Sequence, residues 1–148
     1  MKYYIKGQEL NTKILKGIDT LADNVASTLG PRGRNVILFH KEQGVPIITK
    51  DGVTVAQFVD LEDPFENVGA QIIKQVAART ADECGDGTTT STVLARALLR
   101  ETQKYIVAGS SPVEMKRGMD KAVLAIVDRL EEMSKPISSV EDIEHIAT

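Results

Sequence analysis

Apolar side chains recur every three or four residues through most of this chain, which is the spacing of an amphipathic helix. Asp63-Pro64-Phe65-Glu66 and Ser111-Pro112-Val113-Glu114 are each typical of a helix start, because a capping side chain precedes a proline. The pattern predicts long helices over about 9–28, 64–84, 88–108 and 112–133, a short helix that follows Lys50-Asp51-Gly52 and runs to about Val59, and a last short helix over about 139–147.

Short apolar runs of strand length interrupt the helical pattern near the N-terminal third of the chain. Arg34–His40 contains one such run and Pro46–Thr49 is another, and a turn is predicted between them at Lys41–Gly44. These segments predict a β-hairpin, and the loose alternation of Met1–Lys6 predicts an edge strand. The predicted fold class is therefore mainly α, with long helices packed antiparallel, a small β-hairpin and an N-terminal edge strand.

Composition narrows the range of functions. The 148 residues are 42% hydrophobic and 26% charged with a formal net charge of −3, which is typical of a globular domain and gives no electrostatic case for nucleic-acid binding. No apolar run approaches the length of a membrane span, so no membrane partner is expected. The single cysteine, Cys84, cannot form an internal disulfide, and the start of the chain is too polar for a signal peptide. We therefore expect a cytoplasmic protein.

The hexapeptide Gly85-Asp86-Gly87-Thr88-Thr89-Thr90 stands where a long predicted helix begins. Its glycines allow a close backbone approach, and the first turn of a helix has N–H groups without intrahelical partners that favour an anion. Asp86 would repel a bare phosphate but suits a divalent cation between carboxylate and phosphate. The local chemistry therefore indicates a nucleotide together with Mg²⁺.

The hexapeptide alone also permits a purely structural interpretation, in which it is a turn followed by good helix-capping residues. It is neither a Walker A loop nor a dinucleotide fingerprint, because the chain has no Gly-x₄-Gly-Lys-Ser/Thr and the third glycine and the βαβ unit of the fingerprint are missing. Both interpretations stay open at this point.

Two further segments stand with the hexapeptide near predicted helix ends: Thr28–Asn35 and Ile48–Val53. In this order and spacing the three closely resemble the N-terminal part of the group I chaperonins, the GroEL type. The resemblance covers essentially the whole chain and extends to Leu61–Gln71 and Lys116–Val123.

The resemblance implies ATP binding, with Mg²⁺ held by Asp86 and with K⁺ as a further cofactor. It also implies that Asp51 lies near the γ-phosphate and acts in hydrolysis, by orienting the attacking water or by helping to bind the monovalent cation. Phosphoryl transfer of this kind depends mostly on positioning and charge neutralisation. The residues implied to bind the nucleotide are Thr28, Leu29, Gly30, Pro31, Lys50, Gly85, Asp86, Gly87, Thr88, Thr89 and Thr90.

The same resemblance implies a subunit of a homo-oligomeric ring that assists protein folding through ATP binding and hydrolysis. Residues 1–133 would be the N-terminal part of an ATP-binding equatorial domain, and 134–148 the start of an intermediate domain. The hairpin at Arg34–His40 would add to a neighbouring subunit's sheet. Unfolded clients and a co-chaperonin would bind through regions that this sequence does not contain.

Family members are several times longer, and part of the cover for their equatorial helices comes from the other end of the chain. We therefore expect large apolar patches to be exposed here, and the chain alone to be marginally folded, self-associating or part of a longer product.

An alternative function is a truncated interaction module that docks into chaperonin rings without ATPase activity. A stand-alone phosphotransferase is disfavoured, since no substrate-binding lobe is evident.

The predicted helix at 88–108 has an apolar stripe that we expect to be buried. Its members are Val93, Leu94, Ala97, Leu98, Tyr105 and Ile106.

Overall fold

A computed structural model describes residues 4–40, 44–137 and 139–147 of the chain. These residues form a mainly helical fold with one small antiparallel sheet, which confirms the predicted fold class. Tyr4–Lys6 form no strand, and the first three residues lie outside the described part of the chain. The elements are α1 (Gly7–Ala26), β1 (Val36–Phe39), β2 (Pro46–Thr49), α2 (Gly52–Phe58), α3 (Pro64–Cys84), α4 (Thr88–Val107), α5 (Pro112–Met133) and α6 (Val140–Ala147).

The predicted N-terminal edge strand is not seen in the described part of its segment. Lys6 has an extended backbone, with φ −147° and ψ 169°, but it serves as the N-cap of α1. A strand needs a neighbouring strand for its backbone hydrogen bonds, and β1 and β2 pair only with each other within the described residues. An extended segment without such a neighbour stays irregular.

Helices α1 and α3 form the main packing contact, and glycines at their crossing allow the two backbones to approach closely. A Cβ on Gly17 would stand 1.7 Å from the carbonyl oxygen of Glu66, and one on Gly69 would stand 2.0 Å from that of Ile14. The buried core lies where α1 and α3 cross, and α2 contributes residues to it. Its members are Ile18, Leu21, Val25, Val55, Ala56, Ala70, Ile73 and Ala77.

Aspartates cap the first two helices that follow the hairpin. Asp51 caps α2 by accepting from the N–H groups of Val53 and Thr54, and Asp63 caps α3 by accepting from those of Phe65 and Glu66. Each carboxylate satisfies N–H groups that have no partner inside the helix. The predicted start of the helix at Pro64 is confirmed.

The hairpin pairs Ile37 with Ile48 and Phe39 with Pro46. Residues directly opposite each other in an antiparallel pair lie on the same face of the sheet, so these four side chains share one face. All four are exposed, whereas Leu38 on the opposite face is buried. The hairpin therefore presents an apolar face to solvent.

Contacts between Cα atoms divide the chain into two compact units, Met1–Lys104 and Tyr105–Thr148. The first contains the core described above and the sheet. The second contains α5, none of whose side chains is buried. None of the described helices is both long enough and apolar enough to span a membrane. The proposed boundary between domains at residue 133 stays a prediction.

The apolar stripe predicted to lie inside on α4 is largely exposed, so that prediction is wrong for most of its members. Leu94, Leu98 and Tyr105 are each more than half exposed. A helical stripe is buried only where another element covers it, and only the start of α4 is buried, at Thr88 and Thr92. Many large apolar side chains are exposed, while the expectation that they form large continuous patches stays a prediction.

Candidate functional site

Three separate stretches of the chain meet in one cleft of about 240 Å³ within the first unit. The stretches are the end of α1 with the turn after it, the end of β2 with the start of α2, and the turn before α4 with the first residues of that helix. The lining residues are Thr28, Leu29, Gly30, Lys50, Asp51, Gly52, Asp86, Gly87, Thr88, Thr89 and Thr90.

All of the site residues implied by sequence resemblance line this cleft except Pro31 and Gly85. Pro31 follows the lining residue Gly30 and is exposed, and Gly85 is the C-cap of α3 with a left-handed φ of 76°. Gly52 lines the cleft but was missed by sequence reasoning. Its place directly after Asp51, at the start of a helix, was the available signal, since glycine there allows a close approach of another segment.

The turn after α1 is held in a tight shape. The Thr28 hydroxyl donates to the carbonyl oxygen of Val25 at 2.7 Å, and the N–H of Gly33 donates to the carbonyl oxygen of Gly30 at 2.9 Å. Gly30 has φ +69°, and a Cβ on Gly33 would stand 2.2 Å from the carbonyl oxygen of Thr28. Glycine is therefore needed at both positions for the turn to place Thr28 and Leu29 along the cleft.

Asp51 is fixed in the cleft by a set of short-range hydrogen bonds. Its Oδ2 accepts from the Thr54 N–H at 2.9 Å and from the Thr54 hydroxyl at 2.6 Å, while its Oδ1 accepts from the Val53 N–H at 3.3 Å. Its own N–H donates to the Thr49 hydroxyl at 3.0 Å. The Thr54 hydroxyl and then the two backbone donors lower the pKa of Asp51. Asp51 is therefore an ionised acceptor at neutral pH.

The turn between α3 and α4 brings Asp86 to the cleft. Gly85 ends α3 in the left-handed region, and its N–H donates to the carbonyl oxygen of Ala81 at 2.9 Å. Asp86 Oδ1 accepts from the N–H of Gly87 at 2.6 Å, and Gly87 has φ +85°. Asp86 remains exposed, so its carboxylate is open to solvent at the mouth of the cleft.

The three threonines that begin α4 differ in their surroundings. Thr88 is buried, Thr89 is half-buried and Thr90 is exposed. The hydroxyl oxygen of Thr89 lies 3.5 Å from that of Thr28, which joins the start of α4 to the end of α1. The N–H groups of this first turn have no partner within the helix, so they are available to an anion in the cleft.

The donor set of the cleft fits a phosphate that carries a divalent cation. Lys50 and the first-turn N–H groups of α4 suit the anion, while Asp51 and Asp86 add carboxylates that would repel it if no cation were present. No group of three or more His, Cys, Asp or Glu residues that could hold a metal occurs in the described ranges. Mg²⁺ is usually held by one or two carboxylates together with substrate phosphates, and the residues present fit that arrangement.

Thr92 adds an unsatisfied polar atom one turn after Thr88. Its side chain is fully buried, and its Oγ1 has no hydrogen-bond partner within the described part of the chain. Leaving a buried hydroxyl unpaired costs free energy. We find no physical reason in the described contacts for that cost.

The match to known families covers most of the chain and includes the cleft. A model of the TCP-1/cpn60 chaperonin family matches residues 21–148. This range contains all three stretches that line the cleft, together with the end of α1 and the whole of α2, α3 and α4. The chain therefore belongs to the TCP-1/cpn60 chaperonin family.

Proposed function

We propose that this chain is the ATP-binding N-terminal part of a group I, GroEL-type chaperonin subunit, which assists protein folding through ATP binding and hydrolysis in a ring complex. The observation that carries the proposal is the meeting of three distant stretches, each with a residue suited to a nucleotide, in one cleft. The residues suited to a nucleotide are Thr28 in the first stretch, Lys50 in the second and Asp86 in the third.

The anionic part of the nucleotide would bind at the start of α4. The N–H groups of its first turn supply donors, and the positive end of the helix dipole adds to them. Gly87, with a φ of +85°, leads the backbone into that turn. Lys50 supplies the positive side chain of the cleft, and no hydrogen bond or ion pair engages it in the described part of the chain. Leu29 and Gly30 would wrap the remainder of the nucleotide.

Asp86 would hold Mg²⁺, which supplies charge neutralisation to the phosphates when bound. Asp51 would orient the attacking water or contribute to a K⁺ site. The ionised, hydrogen-bonded state of Asp51 supports the role of an oriented acceptor more than that of a strong base, because a lowered pKa makes a carboxylate a weaker base.

The same proposal covers assembly and location. Residues 1–133 would belong to the equatorial domain and 134–148 to the intermediate domain of a cytoplasmic, homo-oligomeric ring. The hairpin of β1 and β2 would pair with a neighbouring subunit, which the exposed apolar face at Ile37, Phe39 and Ile48 supports. Unfolded clients and a co-chaperonin would bind through other regions of a complete subunit.

A second candidate function is favoured by that same exposed hairpin face. The chain could dock into chaperonin rings as an interaction module without any ATPase activity of its own. Co-migration of the chain with a full-length chaperonin on a sizing column, in the absence of ATP binding, distinguishes this function from the first.

Calorimetric titration of the chain with ATP and Mg²⁺ tests the first function. We expect saturable binding that depends on Mg²⁺ and that Asp86→Asn removes. Asp82→Asn is the matched control, because Asp82 is an exposed aspartate on α3 that does not line the cleft. Equal binding by Asp86→Asn and the wild-type chain would reject the proposed metal ligand, and a wild-type chain without affinity for ATP would reject the function.

A further inference from the structure

The two carboxylate oxygens of Asp51 are bonded unequally. Oδ2 accepts two hydrogen bonds from Thr54, at 2.6 Å from the hydroxyl and 2.9 Å from the N–H. Oδ1 accepts only a long bond of 3.3 Å from the N–H of Val53. A carboxylate oxygen has acceptor capacity for about two hydrogen bonds, so Oδ1 is the atom that can accept another one.

The hydrogen bond from the Thr54 hydroxyl to Asp51 is additional to the bonds from backbone N–H groups that cap α2. Asp63 caps α3 with one oxygen alone, which accepts from the N–H groups of Phe65 at 2.9 Å and Glu66 at 3.2 Å. The residue three positions after that cap is Glu66, which has no hydroxyl donor, whereas Thr54 occupies the corresponding position after Asp51. The hydroxyl of Thr54 therefore adds a second hydrogen bond to Oδ2 of Asp51, beyond the bond from the Thr54 N–H that caps α2.

We propose that Thr54 is a positioning residue for hydrolysis, and that its hydroxyl holds Oδ2 of Asp51 so that Oδ1 accepts a hydrogen bond from the attacking water. The inference rests on the proposed function of Asp51. In the reaction, the water oxygen forms a bond to the γ-phosphorus as the bond from that phosphorus to the β–γ bridging oxygen breaks. One water proton stays on the released phosphate and the other passes to solvent.

The surroundings of Asp51 support this role. The Thr54 hydroxyl is the largest influence that lowers the pKa of Asp51. The charged side chains that share its cleft are Lys50 and Asp86. Lys74 of α3 reaches the opposite end of α2, where it donates to the carbonyl oxygen of Gln57 at 3.1 Å. The hydroxyl of Thr54 is thus the neutral side-chain donor that bonds the carboxylate, at 2.6 Å.

Titration of the Asp51 carboxyl by ¹³C NMR tests the contact without any need for turnover. The wild-type chain is compared with Thr54→Val, which removes the hydroxyl at similar size, and with Thr54→Ser, which restores it. We expect the midpoint of Asp51 to move to higher pH in Thr54→Val and to stay at the wild-type position in Thr54→Ser. Thr12→Val is the matched control, because the Thr12 hydroxyl donates to the Gln8 carbonyl on the exposed side of α1 and Thr12 does not line the cleft. An unchanged midpoint in Thr54→Val overturns the proposal.

The rate of ATP turnover supplies the second measurement. We expect Thr54→Val to lose roughly tenfold to a hundredfold in kcat with little change in KM, because a misplaced water lowers the rate more than it weakens binding. Thr54→Ser should retain the wild-type kcat. Equal losses in the valine and serine variants would indicate a structural role only and overturn the proposal. If Thr54→Val does not fold, Thr54→Cys replaces it, since a thiol of similar size is a weak donor.

The two measurements separate the inference from the function on which it rests. A wild-type chain that binds ATP but shows no turnover overturns the hydrolytic part of the proposal. In that case the NMR titration still decides whether Thr54 holds the Asp51 carboxylate. If the wild-type chain hydrolyses ATP and Thr54→Val leaves kcat unchanged, the inference about Thr54 is overturned and the proposed function is not.

Discussion

Gly52 and Thr89 lie so close together that a Cβ at position 52 would collide with the Thr89 side chain. A Cβ on Gly52 would stand 2.3 Å from the hydroxyl oxygen of Thr89 and 3.3 Å from Cγ1 of Val25. The Thr89 hydroxyl also lies 3.5 Å from that of Thr28. The start of α2, the start of α4 and the end of α1 therefore meet around one hydroxyl group.

We expect Gly52→Ala to destabilise the chain by about 1–3 kcal/mol, because the added methyl group must displace Thr89 or the start of α2 in a packed region. The same displacement should weaken ATP binding, since Thr89 and Gly52 both line the cleft. Chemical denaturation measures the loss of stability, and calorimetric titration with ATP and Mg²⁺ measures the loss of affinity.

A double variant tests the cause of that loss. Thr89→Ala removes the hydroxyl with which the new Cβ collides, so Gly52→Ala/Thr89→Ala should be about as stable as Thr89→Ala alone. Additive losses in the double variant would show that the contact between the two positions is not the cause.

The crossing of α1 and α3 predicts a larger effect at Gly17. Its Cβ would stand 1.7 Å from the carbonyl oxygen of Glu66, and a backbone atom cannot rotate away as a side chain can. We expect Gly17→Ala to cost about 3 kcal/mol or more, measured by the midpoint of chemical denaturation.

Gly118→Ala is the matched control for both glycine predictions. Gly118 lies inside α5 with no atom near its would-be Cβ, and its φ is not positive. Alanine there should be stabilising by about 0.5–1 kcal/mol, because glycine in a helix interior loses more conformational freedom on folding. A wild-type midpoint for Gly17→Ala would contradict the close approach of the two helices.

The pKa values of Asp51 and Asp63 predict a loss of stability in acid. The Thr54 hydroxyl lowers the pKa of Asp51, and the ion pair with Lys13 lowers that of Asp63. A carboxylate with a lowered pKa stabilises the folded state at pH values above its unfolded pKa, which is about 4, and this contribution is lost as the pH falls through the folded pKa. We therefore expect Tm to be level near neutrality and to fall below about pH 4.

The same ion pair raises the pKa of Lys13, so the contribution of Lys13 to stability is lost only as the pH rises through the raised pKa of that lysine. Asp63→Asn keeps a capping side chain but removes the charge, and it should weaken the dependence of Tm on acid pH. Asp82→Asn is the control. A dependence of Tm on pH that is the same in Asp63→Asn and the wild-type chain would contradict the role of the ion pair.

The exposed apolar side chains of α5 predict self-association of the isolated chain. Val123, Leu124 and Ile126 are each more than half exposed, and soluble monomers rarely present contiguous apolar patches of large area. We expect the sedimentation-equilibrium mass to rise with protein concentration, and Leu124→Gln/Ile126→Gln to reduce this rise without lowering the Tm. A concentration-independent monomer with a sharp, cooperative melt would contradict the prediction.

Local patterns predicted the helices and the hairpin well, because each depends on the spacing of apolar residues and on capping side chains close in sequence. The helix starts at Pro64 and Thr88 and the end of α3 at Cys84 all agree with the structure. The start of α1 at Gly7 precedes the predicted one by two residues, since nothing in the spacing distinguishes Gly7 from the residues that follow it.

Burial could not be predicted in the same way. The stripe on α4 has helical spacing, yet Leu94 and Leu98 are exposed, whereas Thr92 on the same helix is fully buried. Periodicity identifies the apolar side of a helix, but which part of that side is covered depends on the neighbouring elements.

The sequence by itself determined which chemical groups the cleft can offer, because the carboxylates of Asp51 and Asp86 and the hydroxyl groups of the threonines after Asp86 belong to the side chains themselves. Only the tertiary structure decided that these residues share one cleft and that Gly52 belongs with them. The physical reason is distance: contacts such as that between Gly52 and Thr89 join stretches far apart in the chain, and such contacts form only when α1, α2 and α4 pack together.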